Sequence, residues 1–164
     1  MPETSLSPIP DAAFGFDQAR HLLNRAGFGG TPQQVQTLQQ MGLEAAVAAL
    51  VDYDDTPAGP DARPDFDPDI MKPLTKAQRD AYRAARRKND EAALDKFREM
   101  RLQQRRADRR QMAELGRWWI GRMIATPRPL EEKLTLLWHN HFASSYRGVR
   151  DSWLMYRQNA LLRK

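Results

Sequence analysis

KLTLLWHNHFASS, Lys133 to Ser145, is the stretch on which the fold of this chain turns. Ahead of it, Thr126-Pro127-Arg128-Pro129 is a break followed by a start. Proline cannot continue a preceding helix, yet it suits the first helical position, where its missing N–H is not needed. Glu131 and Glu132 then fall in the first turn, where the helix dipole favours negative charge. Leu130, Leu134, Leu137, Trp138, His141 and Phe142 recur at three- and four-residue steps. That spacing predicts an amphipathic helix with these six residues turned inward. His139 belongs to the other face, with Glu132 and Thr135.

The same geometry limits what the two histidines can do. Residues two apart on a helix lie about 200° apart around its axis, so His139 and His141 reach one metal only if the helix ends before them. An extended H-x-H pair could then chelate through neutral imidazoles. His139 and His141 are therefore the metal or haem candidates, with His21 as a more distant third. The chain has no Cys and no HExxH pattern to support them, and the preferred reading makes His141 a core histidine. Ser144 and Ser145 read as loop or capping residues, because no nucleophile-elbow pattern surrounds them. No cofactor is supported, and enzymatic activity is left open.

Outward towards the N-terminus, Asp17 can cap a helix with Ala19, Leu22, Leu23 and Ala26 inward, ended by Gly27. His21 reads as a partly exposed packing residue. Phe28-Gly29-Gly30 is a turn, and the Lys and Ser/Thr of a phosphate-cradling loop are missing. Thr31-Pro32-Gln33-Gln34 is a capping box with proline at the first position. Val35, Leu38 and Met41 form the expected buried stripe, and Gly42 ends that helix. Leu43 to Val51 follows as a second helix, with Val47, Leu50 and Val51 available for packing. A helix-turn-helix DNA reader is disfavoured, since Thr31 to Val51 contains no Lys or Arg to meet phosphates.

Asp52 to Pro73 reads as a loop: seven acidic residues lie between Asp52 and Asp69, and five prolines between Pro57 and Pro73. Asp65, Asp67 and Asp69 lack the glycine and terminal glutamate of a calcium loop, so a solvated linker is preferred. From Thr75, a capping residue, a helical stretch runs without Gly or Pro to Gly116, and on to about residue 125. Charge divides sharply along the chain. Met1 to Met71 holds 3 basic and 11 acidic residues, Lys72 to Arg117 holds 15 and 7, and Trp118 to Lys164 holds 8 and 3. The pI of about 9.8 is thus a local property. Arg105, Arg106, Arg109 and Arg110, in the run RRADRR, are the anion-binding candidates. The competing and preferred account is a solvated helix laced with short-range ion pairs, because charge runs usually are that.

Several motifs occur together in order: HLLNRAGFGGTP (His21 to Pro32), TPRPLEEKL, WHNHF and MYRQNALLR. With them the chain resembles the large bacterial family known as domain of unknown function 1800. The resemblance covers most of the chain outside Tyr53 to Arg110. It implies a helical protein, relatives that are often exported, and a second uncharacterised exported protein as a partner. It carries no established catalytic residues. Relatives continue beyond the MYRQN segment, which implies that Lys164 ends a truncated product with apolar surface around Trp138 and Trp153.

The expected fold class is all-α, because no segment shows sustained alternation of β-branched residues with turn chemistry. The expected form is an irregular bundle of about six helices, with a long basic helix over 75–125 and an acidic Pro-rich loop over 52–73. Residues 1–16 read as a disordered or loosely attached terminus, and 17–164 as one helical domain, the N-terminal part of a larger family domain. No run approaches the 18 or so apolar residues of a membrane span. The start shows no basic and apolar signal-peptide pattern, so the compartment is cytoplasmic by default even though relatives are often exported. Three function classes follow: a helical scaffold or interaction module, a metal or haem protein using the histidines, and a binder of anionic surfaces through the basic helix. Nucleic acid is the less favoured partner for the last.

Overall fold

The computed structural model describes residues 9–57, 64–142 and 144–163. Among the described residues there are eight α-helices, one short 3-10 turn at Asp11–Ala13 and no strand. The helices are α1 (Phe16–Ala26), α2 (Pro32–Met41), α3 (Leu43–Val51), α4 (Lys76–Lys88), α5 (Glu91–Ala125), α6 (Pro129–His141), α7 (Tyr146–Val149) and α8 (Ser152–Leu162). The protein is all-α. Among the described residues no helix is long and apolar enough to cross a membrane. Residues 1–8, within the stretch read as a loose terminus, lie outside the described residues, as do Pro60, Asp61 and Arg63 of the acidic loop, and Lys164.

Local chemistry accounts for most helix ends. The Thr31 hydroxyl accepts from the Gln34 N–H, and the Gln34 side chain accepts from the Thr31 N–H at 2.7 Å, with Pro32 in the first turn. Thr75 and Gln78 repeat the arrangement at α4. Helix α1 starts one residue earlier than its expected cap: Gly15 is the N-cap, and its N–H donates to Gln18 rather than Asp17 supplying the cap. At α8 the Asp151 carboxylate accepts from the Leu154 N–H, as a capping residue should.

Eight helices replace the six expected for two reasons. The long basic stretch is broken at Asn89, which adopts the left-handed conformation (φ 52°, ψ 37°). Asn tolerates this better than most residues because its short polar side chain bonds locally. Asp90 then restarts the chain by accepting from the Ala93 N–H at 3.0 Å. The second addition is α7, a single turn capped by Ser145 and closed by Arg150 in the left-handed region.

The chain forms two compact units. The first comprises residues up to 61, residues 120–138 and Arg163. Its core is Phe14, Ala19, Val35, Leu38, Ala46 and Leu50, with Leu22, Leu23, Ala26 and Leu43 packed against it. Helices α1, α2 and α3 touch one another pairwise around these side chains. Phe14 is buried there although it lies in the stretch read as loosely attached. Three residues expected to pack are not in it: Met41, Val47 and Val51 are exposed, and Ala46 is buried instead.

Among the described residues, the second unit comprises 64–119 and 139–162. Its core is smaller: Phe66, Leu115 and Met155, with Met112, Trp118, Tyr146, Trp153 and Tyr156 against it. Phe66, Trp118 and Trp153 each set a ring against Tyr156 at 5.2 to 5.9 Å. Helix α5 contributes residues to both units.

Helix α6 turns the opposite face inward from the one its apolar spacing predicts. Glu132 and Thr135 are fully buried, whereas Leu137, Trp138, His141 and Phe142 are exposed. Two guanidinium groups explain the reversal. Glu132 accepts from Arg122 Nε at 2.8 Å and from Arg163 Nε and Nη2 at 2.9 Å. The fork from Arg163 is bidentate, the strongest geometry for this pair. Burial pushes the Glu132 carboxyl up, but the hydrogen bonds from Arg163 and Arg122 together outweigh it and hold the group below its ordinary value. Thr135 satisfies its own hydroxyl by donating to the Glu131 carbonyl at 2.8 Å. On α8, Ser152, Met155 and Asn159 face inward, while Leu161 is 68% exposed.

Candidate anion-binding site

Helix α5 carries Arg101, Arg105 and Arg109 one turn apart, so their side chains follow one another along a single face. The long helical run forms because Glu91 to Arg110 contains no Gly or Pro and many straight-chain residues. From α7 and the residue after it, Arg147 and Arg150 reach the same place. The five arginines, with Gln104, Met71, Asp108 and Tyr146, line a cavity of about 460 Å³. Among the described residues none of these five guanidinium groups is ion-paired. Arg150 Nε donates to the Arg147 carbonyl, which ties the two together.

The one carboxylate in the lining does not compete for them. Asp108 is buried and accepts from the Tyr146 hydroxyl at 2.6 Å, the Ser152 N–H at 2.7 Å and the Ser152 hydroxyl at 2.6 Å. It lies at the N-terminus of α8, where the helix dipole favours an anion. Gln111 extends the network, donating to Ser152 Oγ and to the Asp67 carbonyl while accepting from the Asp67 N–H. This network fixes the position of α7 on α5, and so of Arg147 and Arg150 opposite Arg105 and Arg109. Burial and then the hydrogen bond to Asp108 push the Tyr146 phenol up to about 12. Arginine keeps its proton throughout the working range. The lining thus supplies fixed positive charge and proton-holding groups, the makings of a binding site.

The four arginines singled out in the sequence are divided by the helix. Arg105 and Arg109 line the cavity just described, while Arg106 and Arg110 line a separate one on the neighbouring face with Asp67, Ile70 and Gln103. Sequence reasoning missed Arg101, although its four-residue spacing from Arg105 was visible. It also missed Arg147 and Arg150, whose approach to α5 has no signal in the local sequence. The preferred account of a helix laced with ion pairs holds for Arg83 with Asp80 and for Arg98, which pairs with Asp95 and Glu91. Arg101, Arg105 and Arg109 are exposed, as a solvated helix requires, but none of them forms an ion pair among the described residues.

The histidines do not converge. His139 is half-buried with its ring 5.2 Å from that of Trp119, and burial lowers its pKa below the ordinary value. His141, expected in the core, is exposed, with its ring against Phe142 at 5.1 Å. Helix α6 continues through both residues, so they point in different directions. His21 lies in the first unit, exposed at a cavity with Phe14, Leu22 and Arg25. Among the described residues no group of three or more His, Cys, Asp or Glu could hold a metal ion.

An all-helical chain with a cationic cavity is the class of protein that these features define. Residues 21–164 match the family described as protein of unknown function (DUF1800), and the chain belongs to that family. Comparison with curated proteins and with solved structures found no match.

Proposed function

We propose that this protein is a binding module for a phosphate-bearing anion, held in the cavity formed by Arg101, Arg105, Arg109, Arg147 and Arg150. The observation that carries this reading is the convergence of five arginines from two separate parts of the chain, none of which has an acidic partner among the described residues. Like charges held together destabilise a fold unless something offsets their repulsion. A solvated helical face needs no cavity, and it needs no second element bringing Arg147 and Arg150 to it. Arginine is the residue suited to phosphate, because its planar fork donates two parallel hydrogen bonds. A volume of about 460 Å³ falls in the range of small-ligand sites.

The test is titration calorimetry with inorganic pyrophosphate at low and at moderate salt. Saturable binding is expected, weakening as salt rises. Arg105→Gln and Arg147→Gln should each weaken it at least tenfold. The double variant Arg106→Gln, Arg110→Gln, which removes the same helix's charge from the neighbouring face, should leave it within about twofold, since a screened charge one face away contributes little. Equal losses in both sets, or no saturable binding at low salt, would show that the arginines act only as diffuse surface charge.

A further inference from the structure

A second cavity, of about 540 Å³, adjoins the cationic one, and Arg101 and Arg105 line both. Its other walls are Leu74, Tyr82 from α4, and Phe97 and Leu102 from α5, with Arg98 at the rim. Tyr82 and Phe97 meet edge to face at 5.3 Å, which holds α4 against α5 and forms the floor. Tyr82 and Leu102 are nevertheless 38% and 44% exposed. Resting on the reading of the first cavity as an anion site, we propose that the ligand is an anionic amphiphile: a phosphate head among the arginines and a hydrocarbon chain along Leu74, Tyr82, Phe97 and Leu102.

Charge is graded along this path. Arg98, at the far end, is neutralised by Asp95 at 2.6 Å and Glu91 at 3.3 Å. Among the described residues, Arg101 and Arg105, at the junction, have no ion pair, and neither do Arg109, Arg147 and Arg150 beyond them. An anion is therefore drawn past the junction, and the part of the ligand left in the second cavity meets mainly carbon. A nucleotide base would need donors and acceptors for its edge. In this lining the Tyr82 hydroxyl is the one uncharged polar side-chain group, so the walls suit hydrocarbon better than a base.

The experiment compares octyl phosphate, kept below its micelle concentration, with ethyl phosphate and adenosine monophosphate on the full chain. Octyl phosphate should bind at least tenfold more tightly than either; tenfold is about 1.4 kcal/mol, less than the burial of two methylene groups provides. Leu102→Asn, at an exposed position, should bring octyl phosphate down to the level of ethyl phosphate and leave ethyl phosphate unchanged. Arg105→Gln should weaken both. Equal affinity for octyl and ethyl phosphate, with both bound, would overturn the amphiphile while leaving the anion site standing. Tighter binding of adenosine monophosphate would do the same in favour of a nucleotide. If none of the three binds, both readings fall. Sedimentation with phosphatidylcholine vesicles containing phosphatidic acid separates the sources of such a ligand. Retention that Leu102→Asn abolishes points to a lipid drawn from a bilayer, and binding of octyl phosphate alone points to a soluble amphiphile. Vesicle retention that Leu102→Asn leaves at full strength would overturn the proposal, since charge alone would then suffice.

Discussion

His139 and His141 stand two residues apart and serve the fold differently. The His139 imidazole is half-buried against Trp119, and its burial disfavours the charged form. Below the ordinary pKa of 6.5 the unfolded chain binds a proton there that the native state resists. Its contribution is therefore complete above that pH and is lost as pH falls through the lowered value. His139→Ala should cost about 1–2 kcal/mol at pH 8 through the lost packing, and should flatten the fall of stability as pH drops below 6.5. His141→Ala, at an exposed position, should stay within about 0.5 kcal/mol. Urea denaturation of both variants at several pH values checks this; a larger loss in His141→Ala would place the core on the wrong side of the helix.

The inversion of α6 is an argument about a whole element. An apolar face of Leu134, Leu137, Trp138 and Phe142 remains 38% to 59% exposed, because the opposite face carries Glu132 into its pair of arginines. Breaking that cluster by removing one partner would leave a buried charge unpaired, at about 3–5 kcal/mol, more than a single exposed leucine recovers by turning inward. Helix α6 is thus held by its polar side. Leu137→Gln should change stability by less than about 0.5 kcal/mol and reduce the binding of a hydrophobic dye, which reports exposed apolar surface. A loss of several kcal/mol with unchanged dye fluorescence would mean that the leucine face is the packed one.

At the scale of the molecule, two cores share one chain. The first gathers small and medium side chains from α1 to α3, and the second gathers aromatic rings around Tyr156. Leu38→Ala in the first and Met155→Ala in the second should each cost about 2–5 kcal/mol locally. Hydrogen exchange is the suitable probe, because it reads stability helix by helix. Leu38→Ala should speed exchange chiefly in α1, α2 and α3, and Met155→Ala chiefly in α7 and α8. Uniform acceleration in both variants would show a single cooperative unit. The charge division runs along the same chain, with 15 of the 26 Lys and Arg residues between Lys72 and Arg117, the segment that supplies Arg101, Arg105 and Arg109 to the cationic cavity.

Where helices begin was written in single residues. Thr31 with Gln34, Thr75 with Gln78, and Pro129 each act through bonds or clashes no more than four positions away, which is why the all-α class and several element starts could be read directly. The family motifs, and Arg105 and Arg109 on one helical face, were legible for the same reason. Which face of α6 turns inward was not. Apolar spacing reports the transfer of each side chain from water by itself, whereas the burial of Glu132 depends on Arg122 and Arg163, 10 and 31 residues away. The break at Asn89 was missed because a left-handed residue inside a charged run leaves no gap in the periodicity. The cavity has the same origin as the inversion. Arg147 and Arg150 reach the arginines of α5 only because buried Asp108 grips Tyr146 and Ser152, 38 and 44 residues further on. Contacts at that range are decided by tertiary packing, since a local run of sequence contains only one side of each pair.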